Sequence, residues 1–116
     1  MPIPDLATLE MLPRPYEILD LGDGGTKELI ILDYRLGKMI IHPRPAGLPK
    51  EIAVLRVYVP ESIKPLFPDY YDITAQTLIA QLLPILESGN YKDKKFIITK
   101  YGEAPKARFQ VEVKPL

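Results

Sequence analysis

The sequence has no cysteine and no tryptophan, one histidine (His42) and one asparagine (Asn90). Without cysteine there are no disulfides, no thiolate nucleophile and no cysteine-ligated zinc, a composition that fits a reducing compartment. A single imidazole excludes a histidine pair or a facial triad, so His42 reads as structural or incidental. Long apolar runs are also missing: none reaches the ~18 residues of a membrane-spanning helix. The opening MPIPDLATLEML carries Asp5 and Glu10 where a secretory signal would place early Lys or Arg. The expectation is a soluble, intracellular, cytoplasmic protein with no membrane partner. Net charge is absent too, because 15 basic residues balance 15 acidic ones. That excludes indiscriminate coating of nucleic acid and confines any anion-binding surface to a local patch. One Asn and three Gln beside 13 Pro is a heat-tolerant, thermophile-like composition, since proline stiffens loops and amides deamidate.

What is present is enough for one core. At 116 residues and 47% hydrophobic content the chain reads as a single domain, with residues 1–15 as an N-terminal helix and proline-rich lead-in and 16–116 as the body. Charge is segregated along it: residues 1–33 carry two basic and seven acidic groups, 34–72 six and four, and 73–116 seven and four. The head is acidic and the tail basic.

Leu6, Leu9 and Leu12 predict a two-turn helix over 4–12, stopped by Pro13 and Pro15. YEILDL (16–21) reads as a strand broken by GDGGT. ELIILDY (28–34) and KMIIHP (38–43) read as a hairpin around Arg35-Leu36-Gly37, with Gly37 supplying a positive φ, and their unbroken apolarity suits strands buried on both faces. After a proline-rich loop at 44–50, EIAVLRVYV (51–59) is a further strand. Residues 60–72 read as an extended connection with one helical turn at Glu61 to Lys64. The one long helix is capped by Asp72 or Thr74 and buries a stripe of Leu78, Ile79, Leu82, Leu83 and Leu86. It is kinked by Pro84 and stopped by Gly89-Asn90. The C-terminal hairpin registers with Ile98 opposite Phe109 and Phe96 opposite Val111 on a core face. Tyr101 then faces Lys106, Thr99 faces Arg108, Ile97 faces Gln110 and Lys95 faces Glu112 on the other. The fold class is mostly β (α+β), with an antiparallel sheet or OB-like partly open barrel of five to six strands and a kinked helix before the hairpin.

Catalytic constellations do not emerge. GDGGTK lacks the phosphate-loop spacing and precedes a strand where that motif needs a helix. Asp69 and Asp72 in DYYD read as a turn residue and a helix cap rather than an acid/base pair. Asp20, Asp23 and Glu28 lack calcium-loop spacing and read as a solvated rim. No cofactor or metal is expected, and the chain reads as a non-enzyme. The outer hairpin face is different in kind: Tyr101 can stack on a base, Thr99 and Gln110 can donate to phosphate or sugar oxygens, and Lys95, Lys106 and Arg108 add positive charge. The same residue types also serve an ordinary solvated sheet face.

The segment FIITKYGEAPKARFQVEV (96–113) resembles the concluding hairpin of small OB-like single-stranded-DNA-binding proteins of viruses and mobile elements. The resemblance implies non-catalytic binding of single-stranded nucleic acid, with Lys100, Tyr101, Lys106 and Arg108 as contact positions. The alternative is a homodimeric structural or protein-interaction module. There the acidic head of one chain meets the basic tail of another, with the N-terminal helix and PLFPDYY as docking elements.

Overall fold

The computed structural model describes residues 3–42, 47–103 and 106–116. The expected proline-rich loop at 44–50 therefore lies partly outside the described residues, as do Ala104 and Pro105 of the hairpin loop.

Among the described residues, six strands and one α-helix follow the order β1 (Thr26–Leu29), β2 (Asp33–Ile41), β3 (Lys50–Tyr58), β4 (Tyr70–Ile73), α1 (Gln76–Glu87), β5 (Lys94–Tyr101) and β6 (Arg108–Pro115). They form two antiparallel three-stranded sheets, ordered β2-β3-β4 and β1-β5-β6, which among the described residues do not close into a barrel. The mostly-β α+β class with a helix ahead of a C-terminal hairpin is the one expected. Helix α1 packs on β3 and on β6, one strand of each sheet, so a single core joins Leu55, Val57 and Ile73 to Leu29, Phe96 and Ile98 through the helix. The buried residues of α1 are Leu78, Ile79, Leu82, Leu83 and Leu86, the predicted stripe. Pro84 sits within the helix on an exposed position, where it has no N–H to offer the Ala80 carbonyl. Gly89, at φ 81°, ends it.

Several local expectations are corrected. The hairpin around Arg35-Leu36-Gly37 does not exist, because β2 runs straight through these residues and pairs with β3 from Asp33↔Tyr58 to Ile41↔Lys50. A loop there would forfeit ladder bonds along the strand that covers β3. The apolar run 28–34 is instead divided between the two sheets, ending β1 at Leu29 and beginning β2 at Asp33. YEILDL is not a strand of either sheet; it touches β4 at one parallel bridge, Ile18 to Asp72. The two-turn N-terminal helix shortens to a single 3₁₀ turn, Leu6–Thr8, whose first N–H groups are met by Asp5. The connection 60–72 does contain a turn at Glu61–Lys64, with the Lys64 N–H on the Pro60 carbonyl at 3.1 Å, but its end is a strand, β4.

Residues 10–19 form a strap across the β2-β3-β4 sheet. At the outer edge of β2, Leu12 N–H donates to the Lys38 carbonyl (3.0 Å) and Lys38 N–H to the Glu10 carbonyl (2.9 Å). At the outer edge of β4, Asp72 N–H donates to Glu17 (2.7 Å) and Leu19 N–H to Asp72 (2.9 Å). Between these edges Leu12 packs on Met39 and Val54, a second small core on the sheet face opposite α1. Gly37 is where the strap presses closest: a Cβ there would stand 2.6 Å from the Leu12 side chain and 2.8 Å from the Glu10 carbonyl.

Arg56, on β3 beneath the strap, explains why Asp72 does not cap the helix. Both residues are fully buried, and the guanidinium meets the carboxylate at 2.7 Å (Nε to Oδ1) and 3.1 Å (Nη2 to Oδ2). A buried guanidinium left alone would cost several kcal/mol, so the paired carboxylate is obligatory. Asp72 also accepts the Glu17 N–H (2.9 Å), while Arg56 and the Tyr70 hydroxyl both donate to the Pro15 carbonyl, at 3.4 and 2.6 Å. Burial pulls the Arg56 pKa down, but the hydrogen bond and charge of Asp72 outweigh it and hold the group above its ordinary value. Helix α1 accordingly starts later, at Gln76, with Ala75 as a cap that offers no side-chain bond.

Candidate nucleic-acid interface

Strands β5 and β6 alternate cleanly. Phe96 and Ile98 are fully buried and Phe109 and Val111 half-buried against the core. The residues between them therefore turn to the opposite face, which no element covers among the described residues. The observed pairs are Tyr101↔Arg108, Thr99↔Gln110, Ile97↔Glu112 and Lys95↔Lys114 on that outer face, and Ile98↔Val111 and Phe96↔Val113 on the inner one. This register is displaced by two residues from the one read off the sequence, with the two faces preserved. A slip of one would exchange the faces, whereas a slip of two leaves every side chain on its own side. The wider loop, 102–107, is held from outside the hairpin: Asp23 of the GDGG turn accepts the Gly102 N–H at 2.7 Å, and Gly24 N–H donates to the Lys100 carbonyl at 2.8 Å. Gly22 and Gly24, at φ 66° and 77°, let that turn reach the hairpin.

Of the seven candidate residues, Lys95, Thr99, Tyr101, Arg108 and Gln110 share the outer face, and exposed Lys106 stands in the loop at its tip. Lys100 does not join them. Its parity places it opposite Phe109 on the inner side, where it pairs with Glu103 (3.2 Å) and borders a cleft of about 620 Å³ lined by Ile18, Leu21, Leu78 and Phe109. The predicted Lys95–Glu112 pair is also absent: Lys95 lies 3.9 Å from Glu28 on β1, and Glu112 pairs with Lys114 at 3.5 Å.

Two residues of this face were missed. Lys114 follows from the alternation of β6 once the strand is extended to Pro115. Thr26, whose hydroxyl lies 3.1 Å from that of Thr99, comes from the distant β1 and has no local signal.

Electrostatically the face is graded. Lys95 and Lys114, far from the tip, are matched by Glu28 and Glu112. Near the tip, Arg108 and Lys106 enter no ion pair among the described residues. Tyr101, half exposed (51%), stands directly opposite Arg108 and donates to the Gln110 amide oxygen at 3.3 Å. Aromatic ring, unpaired cations and neutral hydrogen-bonding groups thus converge within one strand pair.

The docking elements of the alternative reading are dispersed. Tyr70 is buried in β4, and the N-terminal segment is held down on its own sheet, while Leu66 and Phe67 are 76% and 79% exposed beside a second cleft of about 530 Å³. Among the described residues no helix is long and apolar enough to cross a membrane. No protein-family model, curated protein or solved structure matches the chain.

Proposed function

We propose that this chain is a non-catalytic binder of single-stranded nucleic acid, using the outer face of the β1-β5-β6 sheet at its hairpin tip. The observation that carries this reading is the cluster of exposed Tyr101 with the unpaired Arg108 and Lys106, flanked by Thr99 and Gln110. A ring free to stack, next to cations free to neutralise phosphate, suits unpaired bases on a flexible backbone; a duplex hides its bases from such a ring. Lys95 and Lys114 contribute less, since each already has a carboxylate beside it.

Fluorescence anisotropy with labelled single- and double-stranded oligonucleotides across a salt series tests the proposal. Preference for the single strand and a log–log salt slope of about −0.7 per neutralised phosphate are expected. A slope near zero, or affinity unchanged in Lys106→Glu/Arg108→Glu, removes this face as the binding surface.

A second reading, a protein-interaction module, rests on Leu66 and Phe67, two large apolar side chains left almost wholly in water. A partner recovered by the chain and lost on Phe67→Ser would favour it over the first.

A further inference from the structure

We infer that two copies of this chain associate through the outer edge of β6, joining their β1-β5-β6 sheets into one six-stranded sheet. This goes beyond the nucleic-acid reading and does not depend on it. The sheet edges are treated unequally. The β2 and β4 edges each accept backbone bonds from the strap. The β6 edge receives one, from the Gln81 side chain to the Phe109 carbonyl at 3.2 Å.

The direction of each backbone group along β6 follows from its neighbours. Leu116 N–H donates inward to the Asp93 carbonyl at 3.1 Å, so even-numbered residues of β6 address β5. Lys100, which bonds Gly25 on the far side of β5, gives the same parity. Val111 and Val113 therefore aim their N–H and C=O groups away from the sheet, with no partner among the described residues. Val113 also remains 37% exposed at this edge. Unpaired edges of this kind recruit another strand unless charge or proline deters it.

The charges at this edge select both the occupant and the register. In a two-fold antiparallel pairing with Val113 facing the partner's Val113, Glu112 faces the partner's Lys114 and Lys114 faces the partner's Glu112, both on the outer face. Reciprocal bonds then join the two Val113 residues, and each Val111 N–H reaches the partner's Pro115 carbonyl. Other registers fare worse. Centring on Glu112 sets that carboxylate against itself, and centring on Val111 sets Arg108 against the partner's Lys114. Centring on Gln110 matches Arg108 with the partner's Glu112 but runs the second strand into the amide of Gln81. Lys114, which ordinarily discourages edge pairing, stands opposite a carboxylate in the Val113 register alone, and Pro115 there needs to offer only its carbonyl. A second copy of the chain is thus the occupant whose charges fit.

Sedimentation equilibrium on the full chain tests this, over concentrations up to about 1 mM because so short an overlap makes a weak dimer. Glu112→Lys should weaken the dimer by about tenfold or more, since it opposes lysines twice across the dyad. Glu112→Lys/Lys114→Glu should restore it. Both positions are exposed and unchanged circular dichroism verifies the fold. Amide exchange at Val113 should slow as concentration rises. A chain that stays monomeric throughout overturns the inference. So does a dimer indifferent to Glu112→Lys, or one dispersed by Phe67→Ser.

Discussion

In the β2-β3-β4 sheet the central strand buries five residues in succession, Ala53 to Val57, whereas the central strand of β1-β5-β6 alternates, Phe96 and Ile98 inward and Ile97, Thr99 and Tyr101 outward. The difference lies in what covers them. The first sheet has α1 on one face and the strap on the other, with strap residues bonded to both outer edges. The second has α1 and the core on one face only. A strand enclosed on both sides must be apolar or pay for each polar group with a dedicated partner, which is why Arg56 comes with Asp72. A strand with one free face satisfies its folding requirement with every second residue, and the intervening positions are open to selection for a ligand. Under the proposed function, stability and recognition fall to different sheets.

The most severe way to break this comparison is to disturb the enclosed sheet. Asp72→Ala leaves a buried guanidinium uncompensated and the Glu17 N–H without its acceptor, and should destabilise by ~3–5 kcal/mol in urea denaturation. Glu112→Ala, which removes an exposed carboxylate from the open sheet, should stay within about 0.5 kcal/mol. Equal losses from the two would mean that the sheets do not differ in this way.

Gly37→Ala sharpens the role of the strap. The new methyl would drive into Leu12 and the Glu10 carbonyl, so a loss of ~1–3 kcal/mol is expected by the same denaturation. Because Leu12 is the movable obstacle, Gly37→Ala/Leu12→Ala should cost less than the sum of the single changes. Additive losses would place the penalty on the backbone alone.

These positions also mark how far the sequence could be read. The α1 stripe was legible because a 3.6-residue period over twelve residues has one geometric solution, and the faces of the last hairpin because alternation has only two. The hairpin register escaped by two residues, since that slip preserves both faces and the tie is broken by Asp23 from a distant turn. Gly37 was misread as a turn glycine when its purpose is close approach of the strap, a contact between segments far apart in sequence. Arg56 carried a usable signal: one charge in the middle of EIAVLRVYV asks for a buried carboxylate, and Asp72 was at hand. Among the site residues, Lys100 was separable by parity alone, whereas Thr26 depended on a strand pairing that nothing local specifies.

Tyr70→Phe tests the fastening of strap to sheet more gently. It deletes the hydroxyl that donates to Pro15 at 2.6 Å and should cost ~0.5–1.5 kcal/mol near neutral pH. Burial raises the Tyr70 phenol above its ordinary value of 10.0, with nearby Arg56 opposing that shift. A folded-state pKa above the unfolded one means that the native state holds its proton longer. The contribution is therefore complete below pH 10 and lost as pH rises through the folded value. The variant should thus lose less stability than the parent on going above pH 10, measured by urea midpoints at matched ionic strength. Parallel alkaline losses would exclude Tyr70 as a source of that dependence.

An equally small change in stability, and the one most telling about the open sheet, is expected at Tyr101. Its ring is half exposed and its hydroxyl makes a 3.3 Å bond to Gln110 in water, so Tyr101→Ala should shift the urea midpoint by no more than about 0.5 kcal/mol. If the face holds single-stranded nucleic acid, the same substitution should cost ~1–3 kcal/mol of binding, because the stacking platform is gone. Tyr101→Phe keeps the platform and should bind nearly as the parent does. The pair of variants therefore separates ring from hydroxyl, and affinity from folding, at one position. Should alanine leave oligonucleotide affinity intact, the open face would be a solvated surface and the contrast between the sheets would concern stability alone. Should phenylalanine lower affinity as much as alanine, the hydroxyl and its bond to Gln110 would be the recognised feature, and Gln110→Ala would be expected to reproduce the loss.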